Sequence, residues 1–137
     1  MSTTAKTLLK YIKEGSKIFI CGNGGSACNS EHLAEDLINK GVWAMSLTNI
    51  GAITSIANDY GYEHVFSRQI DVLCEEGDVL VTLSCSGRSP NIAEAIMNAA
   101  NKGMLWVGFP TNKATGLTTP QTENVHAQII HEIYEAL

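Results

Sequence analysis

The 137-residue sequence is 45% hydrophobic and 17% charged, with a formal net charge of -5 at pH 7, a balance suited to one packed core and too apolar for a disordered chain. Its acids and bases are interspersed, which argues against the clustered basic face of a nucleic-acid binder, so any anion must be held locally. No run approaches the roughly 18 apolar residues of a membrane span, Met1–Lys10 lacks a secretory apolar stretch, and Cys21, Cys28, Cys74 and Cys85 show no CxxC spacing; together these predict reduced thiols in a cytoplasmic protein with no membrane partner.

In chain order, residues 4–14 place Leu8, Leu9 and Ile12 at helical spacing and stop at Gly15, which predicts a first helix. Lys17–Cys21 is a compact apolar run entering a glycine cluster, and Ser26–Lys40 follows with helical periodicity. Val42–Leu47 reads as a second strand, Ala52–Ala57 as a short helical piece and Glu63–Cys74 as a further helix. Asp78–Leu83 is the clearest buried strand, leading through Ser84-Cys-Ser-Gly-Arg-Ser-Pro90 into a helix over 91–101. Met104–Phe109 is another apolar strand, Pro110–Gln121 a polar loop, and Glu123–Leu137 a terminal amphipathic helix. Strands alternating with helices predict one α/β domain over 1–137, a three-layer sandwich with a mainly parallel sheet covered on both faces.

Two strand-to-helix junctions carry the chemistry. Cys21-Gly-Asn-Gly-Gly-Ser-Ala27 puts flexible glycines where backbone N–H groups and the positive end of a helix can face an anion. The same residues fit G-x-G-x-x-A, but the acid that grips a ribose hydroxyl about 20 residues later is missing from Val42–Ile50, which argues against a nucleotide cofactor. A tight turn alone would also use such glycines. The second junction crowds Ser84, Ser86 and Ser89 around Gly87. Serines there can be mere turn and cap residues, yet ligands of parallel sheets bind at the carboxyl ends of strands, where both loops lie. Arg88 could add charge or simply be solvated.

On the helix after the first loop, His32 and Asp36 are four residues apart and share a face, beside a stripe of Glu31 and Glu35. On the terminal helix Glu123 and His131 project broadly to one side and His126 points further round. Spacing alone leaves these as either a site or a solvated face with structural histidines.

The segments GNGGSACNSEHLAEDL, NDYGYEHVFSR, EEGDVLVTLSCSGRSPNI and ENVHAQIIHEIYE, in that order, resemble the phosphoheptose isomerase group of sugar isomerase (SIS) domains. The resemblance implies phosphate and sugar contacts at Asn23, Gly24, Gly25, Ser26, Asn58, Asp59, Ser84, Cys85, Ser86, Ser89 and Glu123. It implies a catalytic base at Asp36, one methylene shorter than the family's glutamate, and an acid/base at His131. Some members carry zinc, and the matching ligands are His32, Asp36, Glu123 and His131, with Glu123 standing where the family usually has glutamine. The implied reaction interconverts sedoheptulose 7-phosphate and D-glycero-D-manno-heptose 7-phosphate, on a sugar phosphate substrate and in a homo-oligomer, a tetramer in the family. The alternatives are a noncatalytic SIS module that binds a sugar phosphate or a protein such as a replication initiator, and a subunit with only an assembly role. Against the family pattern, a long helix before residues 4–14 and a helix and strand after Phe109 are missing, which predicts four principal strands rather than five.

Overall fold

The computed structural model describes every residue, Met1–Leu137. Its elements run α1 (Thr3–Lys13), β1 (Ile18–Gly22), α2 (Gly25–Asn39), β2 (Ala44–Ser46), α3 (Ile50–Tyr60), a 3₁₀ turn (Tyr62–His64), α4 (Ser67–Leu73), β3 (Val79–Leu83), α5 (Pro90–Asn101), β4 (Leu105–Gly108), α6 (Asn112–Thr115) and α7 (Thr119–Ala136). The four strands form one sheet in the order β2-β1-β3-β4. All pairings are parallel, with Ile18 opposite Ala44 and Val79, and Val79 opposite Leu105.

Strand alternation divides the core into two layers, because successive side chains leave a strand on opposite faces. Ile18, Ile20, Val79 and Val81 face one side, where they pack with Leu8 of α1, Leu33 and Leu37 of α2, and Ile130 and Ile133 of α7. Phe19, Cys21 and Leu80 face the other, against Phe66, Ile70 of α4, and Ile92, Ala95 and Ala99 of α5. β1 and β3 are buried along their whole length, as central strands of a doubly covered sheet must be. The four-stranded parallel sheet and the layers on both its faces match the predicted α/β sandwich. No helix is long and apolar enough to cross a membrane.

Three boundaries differ from the sequence expectation. The piece expected at 52–57 is a longer helix, Ile50–Tyr60, started by Asn49, whose side chain accepts from Ala52 N–H. The helix expected over 63–74 is split into the 3₁₀ turn and α4. The polar stretch after Phe109 contains the one-turn α6, and α7 begins four residues earlier than expected, at Thr119. Its start is set by a capping box, in which Thr118 Oγ1 accepts from Gln121 N–H and Gln121 Oε1 accepts from Thr118 N–H.

Candidate active site

At the carboxyl ends of β1 and β3 the two predicted loops meet. They form a cavity of about 190 Å³ lined by Asn23, Ser26, Leu83, Ser84, Cys85, Ser86, Ser89, Thr119 and Glu123. Adjacency of β1 and β3 in the sheet brings the loops together, and α2 and α5 start at its edge. A side chain at Gly22 would strike the carbonyls of Ser26 at 2.7 Å and Leu83 at 2.9 Å, so glycine there permits the turn from β1 into α2 beside the second loop.

The second loop is built to donate. Ser84 Oγ accepts from Gly87 N–H at 3.0 Å and Ser86 Oγ accepts from Arg88 N–H at 3.1 Å, bonds that shape the turn and leave both hydroxyl protons available. Ser89 caps α5 without a side-chain hydrogen bond, so its hydroxyl is free as well. The backbone N–H groups of Cys85 and Ser86 point to no acceptor in the chain, an arrangement suited to an anion at a helix start. No lysine or arginine lines the cavity, and Arg88 is exposed outside it. An anion bound here is held by neutral donors and helix dipoles rather than by ion pairing.

Cys85 lies on the cavity floor, its thiol 3.9 Å from Ser26 Oγ and from the Thr119 carbonyl. Burial raises its pKa, the Ser26 hydroxyl opposes that and the Glu123 charge adds to it, so the group is a neutral thiol and not a nucleophile at neutral pH. Glu123 enters from α7. Its carboxylate fills the space where a side chain at Gly25 would stand, while its carbonyl accepts from Asn29 Nδ2 at 3.3 Å.

Further along α2 and α7 a second group assembles. Asp36 Oδ2 is 3.3 Å from His32 Nε2, and the His32 and His131 rings stand edge to face with centroids 5.6 Å apart. Asp36 is half-buried and His131 exposed. Seven residues of helix separate Gly25 from His32, roughly 10 Å at 1.5 Å per residue. A ligand anchored by a terminal anion in the loops must therefore be an extended molecule to present its other end here.

Residues 1–110 match the family model described as the SIS domain. The chain is 36% identical over 154 aligned positions to a phosphoheptose isomerase of Cytophaga hutchinsonii, an alignment covering 97% of this chain and 80% of that protein. It is 43% identical over 116 positions to a phosphoheptose isomerase of Burkholderia pseudomallei, covering 80% of this chain and 59% of the relative. The solved phosphoheptose isomerase of Neisseria gonorrhoeae superposes with a TM-score of 0.86 at 33% identity, covering 96% of this chain and 81% of that one. The chain belongs to the SIS domain family, in its phosphoheptose isomerase group.

Within this SIS domain the expected contact residues divide. Asn23, Ser26, Ser84, Cys85, Ser86, Ser89 and Glu123 line one cavity, whereas Gly24 and Gly25, between Asn23 and Ser26 in the chain, do not line it. Asn58 and Asp59 do not line it; they sit exposed near the end of α3, with Asn58 Nδ2 donating to Asp59 Oδ1 at 3.0 Å. The expected four-ligand zinc set is not gathered either, since no three His, Cys, Asp or Glu side chains converge at metal-binding geometry. The reason lies in α7. Eight residues separate Glu123 from His131, roughly 12 Å of helix, so Glu123 faces Gly25 while His131 faces His32. Within one chain His32, Asp36, Glu123 and His131 as arranged do not fit one ion.

Three residues of the site escaped the sequence reading. Thr119 lines the cavity because α7 starts early, and the T-x-x-Q box at Thr118 was the signal for it. Asn91 and Tyr62 bond to Asn23, and no local pattern announces a pairing across 68 residues.

Proposed function

We propose that this chain is an aldose–ketose isomerase that interconverts sedoheptulose 7-phosphate and D-glycero-D-manno-heptose 7-phosphate. The coarser statement, an isomerase acting on a sugar phosphate, follows from its family. The observation that carries the finer reading is the placement of two anion-suited loops in one cavity, about two helical turns from His32, with His131 beside it, and about three turns from Asp36. That separation favours a long sugar with its phosphate at the far end from the reacting carbons.

In this reading the phosphate lies between the two loops, among Asn23, Ser84, Ser86, Ser89 and the N–H groups of Cys85 and Ser86. The sugar chain runs along α2. Asp36 removes the proton from C1 of the ketose, beside the C2 carbonyl; the C–H electrons form the enediol, and the proton returns to C2 to give the aldose. His131 moves the hydroxyl proton between O1 and O2 and assists opening of the sugar ring. Glu123, close to the bound phosphate and repelling it, is suited to accept from a sugar hydroxyl and so to orient the chain.

The test is turnover of sedoheptulose 7-phosphate by the purified protein, followed by NMR. Appearance of the aldose 7-phosphate is expected, and failure to turn over any ketose phosphate contradicts the reading.

A further inference from the structure

Asn91 is only 2% exposed, lies at the second residue of α5, and takes part in no step above. Its carboxamide pairs reciprocally with that of Asn23. Asn23 Nδ2 donates to Asn91 Oδ1 at 2.8 Å and Asn91 Nδ2 donates to Asn23 Oδ1 at 2.8 Å. Tyr62, from the 3₁₀ turn, donates its hydroxyl to the same Asn23 Oδ1 at 2.9 Å. Both lone pairs of that oxygen are thereby used, together with one of the two N–H groups of Asn23. The remaining N–H belongs to a side chain that lines the cavity.

The two loops hang from separate strands, and the first is rich in glycine. A flexible loop that closes on an anion loses conformational freedom at the moment of binding, and any contact that fixes it beforehand removes that cost. A buried amide gains little net stability over an apolar side chain of the same shape. What the pair adds is a fixed geometry between the first loop and the start of α5.

We propose that Asn91 is a positioning residue: with Tyr62 it locks Asn23, and through it the first loop, against the helix of the second, so that both loops hold the phosphate as one rigid unit. The proposal rests on the reading that this cavity takes the phosphate of the substrate. It assigns Asn91 an effect on anion affinity and none on proton transfer.

The test uses inorganic phosphate as the probe, titrated calorimetrically into the intact protein, with steady-state kinetics on sedoheptulose 7-phosphate alongside. Asn91→Ala raises the phosphate Kd and the substrate KM by roughly tenfold, while kcat stays within about threefold. The Asn23→Ala/Asn91→Ala double variant binds phosphate no worse than Asn23→Ala alone, because the two residues act as a unit. Tyr62 is exposed, so Tyr62→Phe leaves the core intact and weakens phosphate binding by roughly threefold; it decides the matter if Asn91→Ala does not fold. Unchanged phosphate affinity in Asn91→Ala or in Tyr62→Phe overturns the proposal, and so do losses at Asn23 and Asn91 that simply add. Wild type that binds phosphate without turnover defeats the proposed reaction and leaves this role standing, whereas wild type that binds no phosphate defeats both.

Discussion

Gly25 and Glu123 show how far a single residue controls this site. The carboxylate of Glu123 occupies the room a side chain at Gly25 would take, so Gly25→Ala must turn that carboxylate aside, which the flexible glutamate side chain does without parting α7 from α2. Moving one side-chain end costs well below overpacking a core, which takes about 1–3 kcal/mol. A nearly unchanged unfolding midpoint together with weakened phosphate binding, as the displaced carboxylate crowds the cavity that Glu123 lines, is the expected outcome, checked by thermal melts and calorimetry. Asp36 tests the chemistry instead. Asp36→Asn keeps the shape and removes the base, and kcat is expected to fall by about 10²-fold or more while phosphate affinity is retained; stopped-time assays and the same titration separate the two. Much of the site was legible at this scale because Gly22–Ser26 and Ser84–Ser89 are contiguous in sequence and sit where a parallel sheet binds ligands. Asn91 and Tyr62 were not, since their role depends on a contact between segments distant in the chain. Within one chain Glu123 and His131 stand roughly 12 Å apart along α7, because a shared helical side says nothing of the axial distance between two residues.

Among the elements, the strands were readable as short apolar runs bounded by glycine and polar residues, and all four appear where expected. Helix starts were harder. α7 was expected from the amphipathic run at Glu123, whereas its first turn is fixed by hydrogen bonds of Thr118 and Gln121 that carry no hydrophobic signal. The same early start delivers Thr119 to the cavity and turns Glu123 toward Gly25. Thr118→Ala removes the cap and is expected to cost about 1 kcal/mol of stability. Chemical unfolding would register this, and a change well below that value would show that tertiary packing alone places the helix.

For the molecule as a whole, the end of β4 and α7 are joined through one buried histidine. His126 is fully buried, its Nε2 is 2.6 Å from the Pro110 carbonyl and its ring stands edge-on to Phe109 with centroids 5.5 Å apart. A carbonyl only accepts, so Nε2 carries the proton, and Nδ1 is left buried without a partner. Burial lowers the pKa of His126 from the ordinary 6.5, against the opposing effects of the Pro110 carbonyl and the Glu123 charge. The unfolded chain then takes up a proton that the native chain refuses. Stability contributed by this group is complete above about pH 6.5 and declines as pH falls from there towards the lowered native value, by at most about 1.4 kcal/mol per pH unit. Unfolding curves at pH 7.5 and 5.5 should show the decline, and His126→Gln, which can still donate to Pro110, should flatten it.

The central claim is that this sheet holds a sugar phosphate by one end and moves a proton between two carbons at the other. Incubation of the protein with sedoheptulose 7-phosphate in D2O, read by NMR, tests it most directly. Deuterium at C2 of the aldose product and at C1 of the recovered ketose is the predicted result; a recovered ketose free of deuterium and unaccompanied by aldose would contradict it.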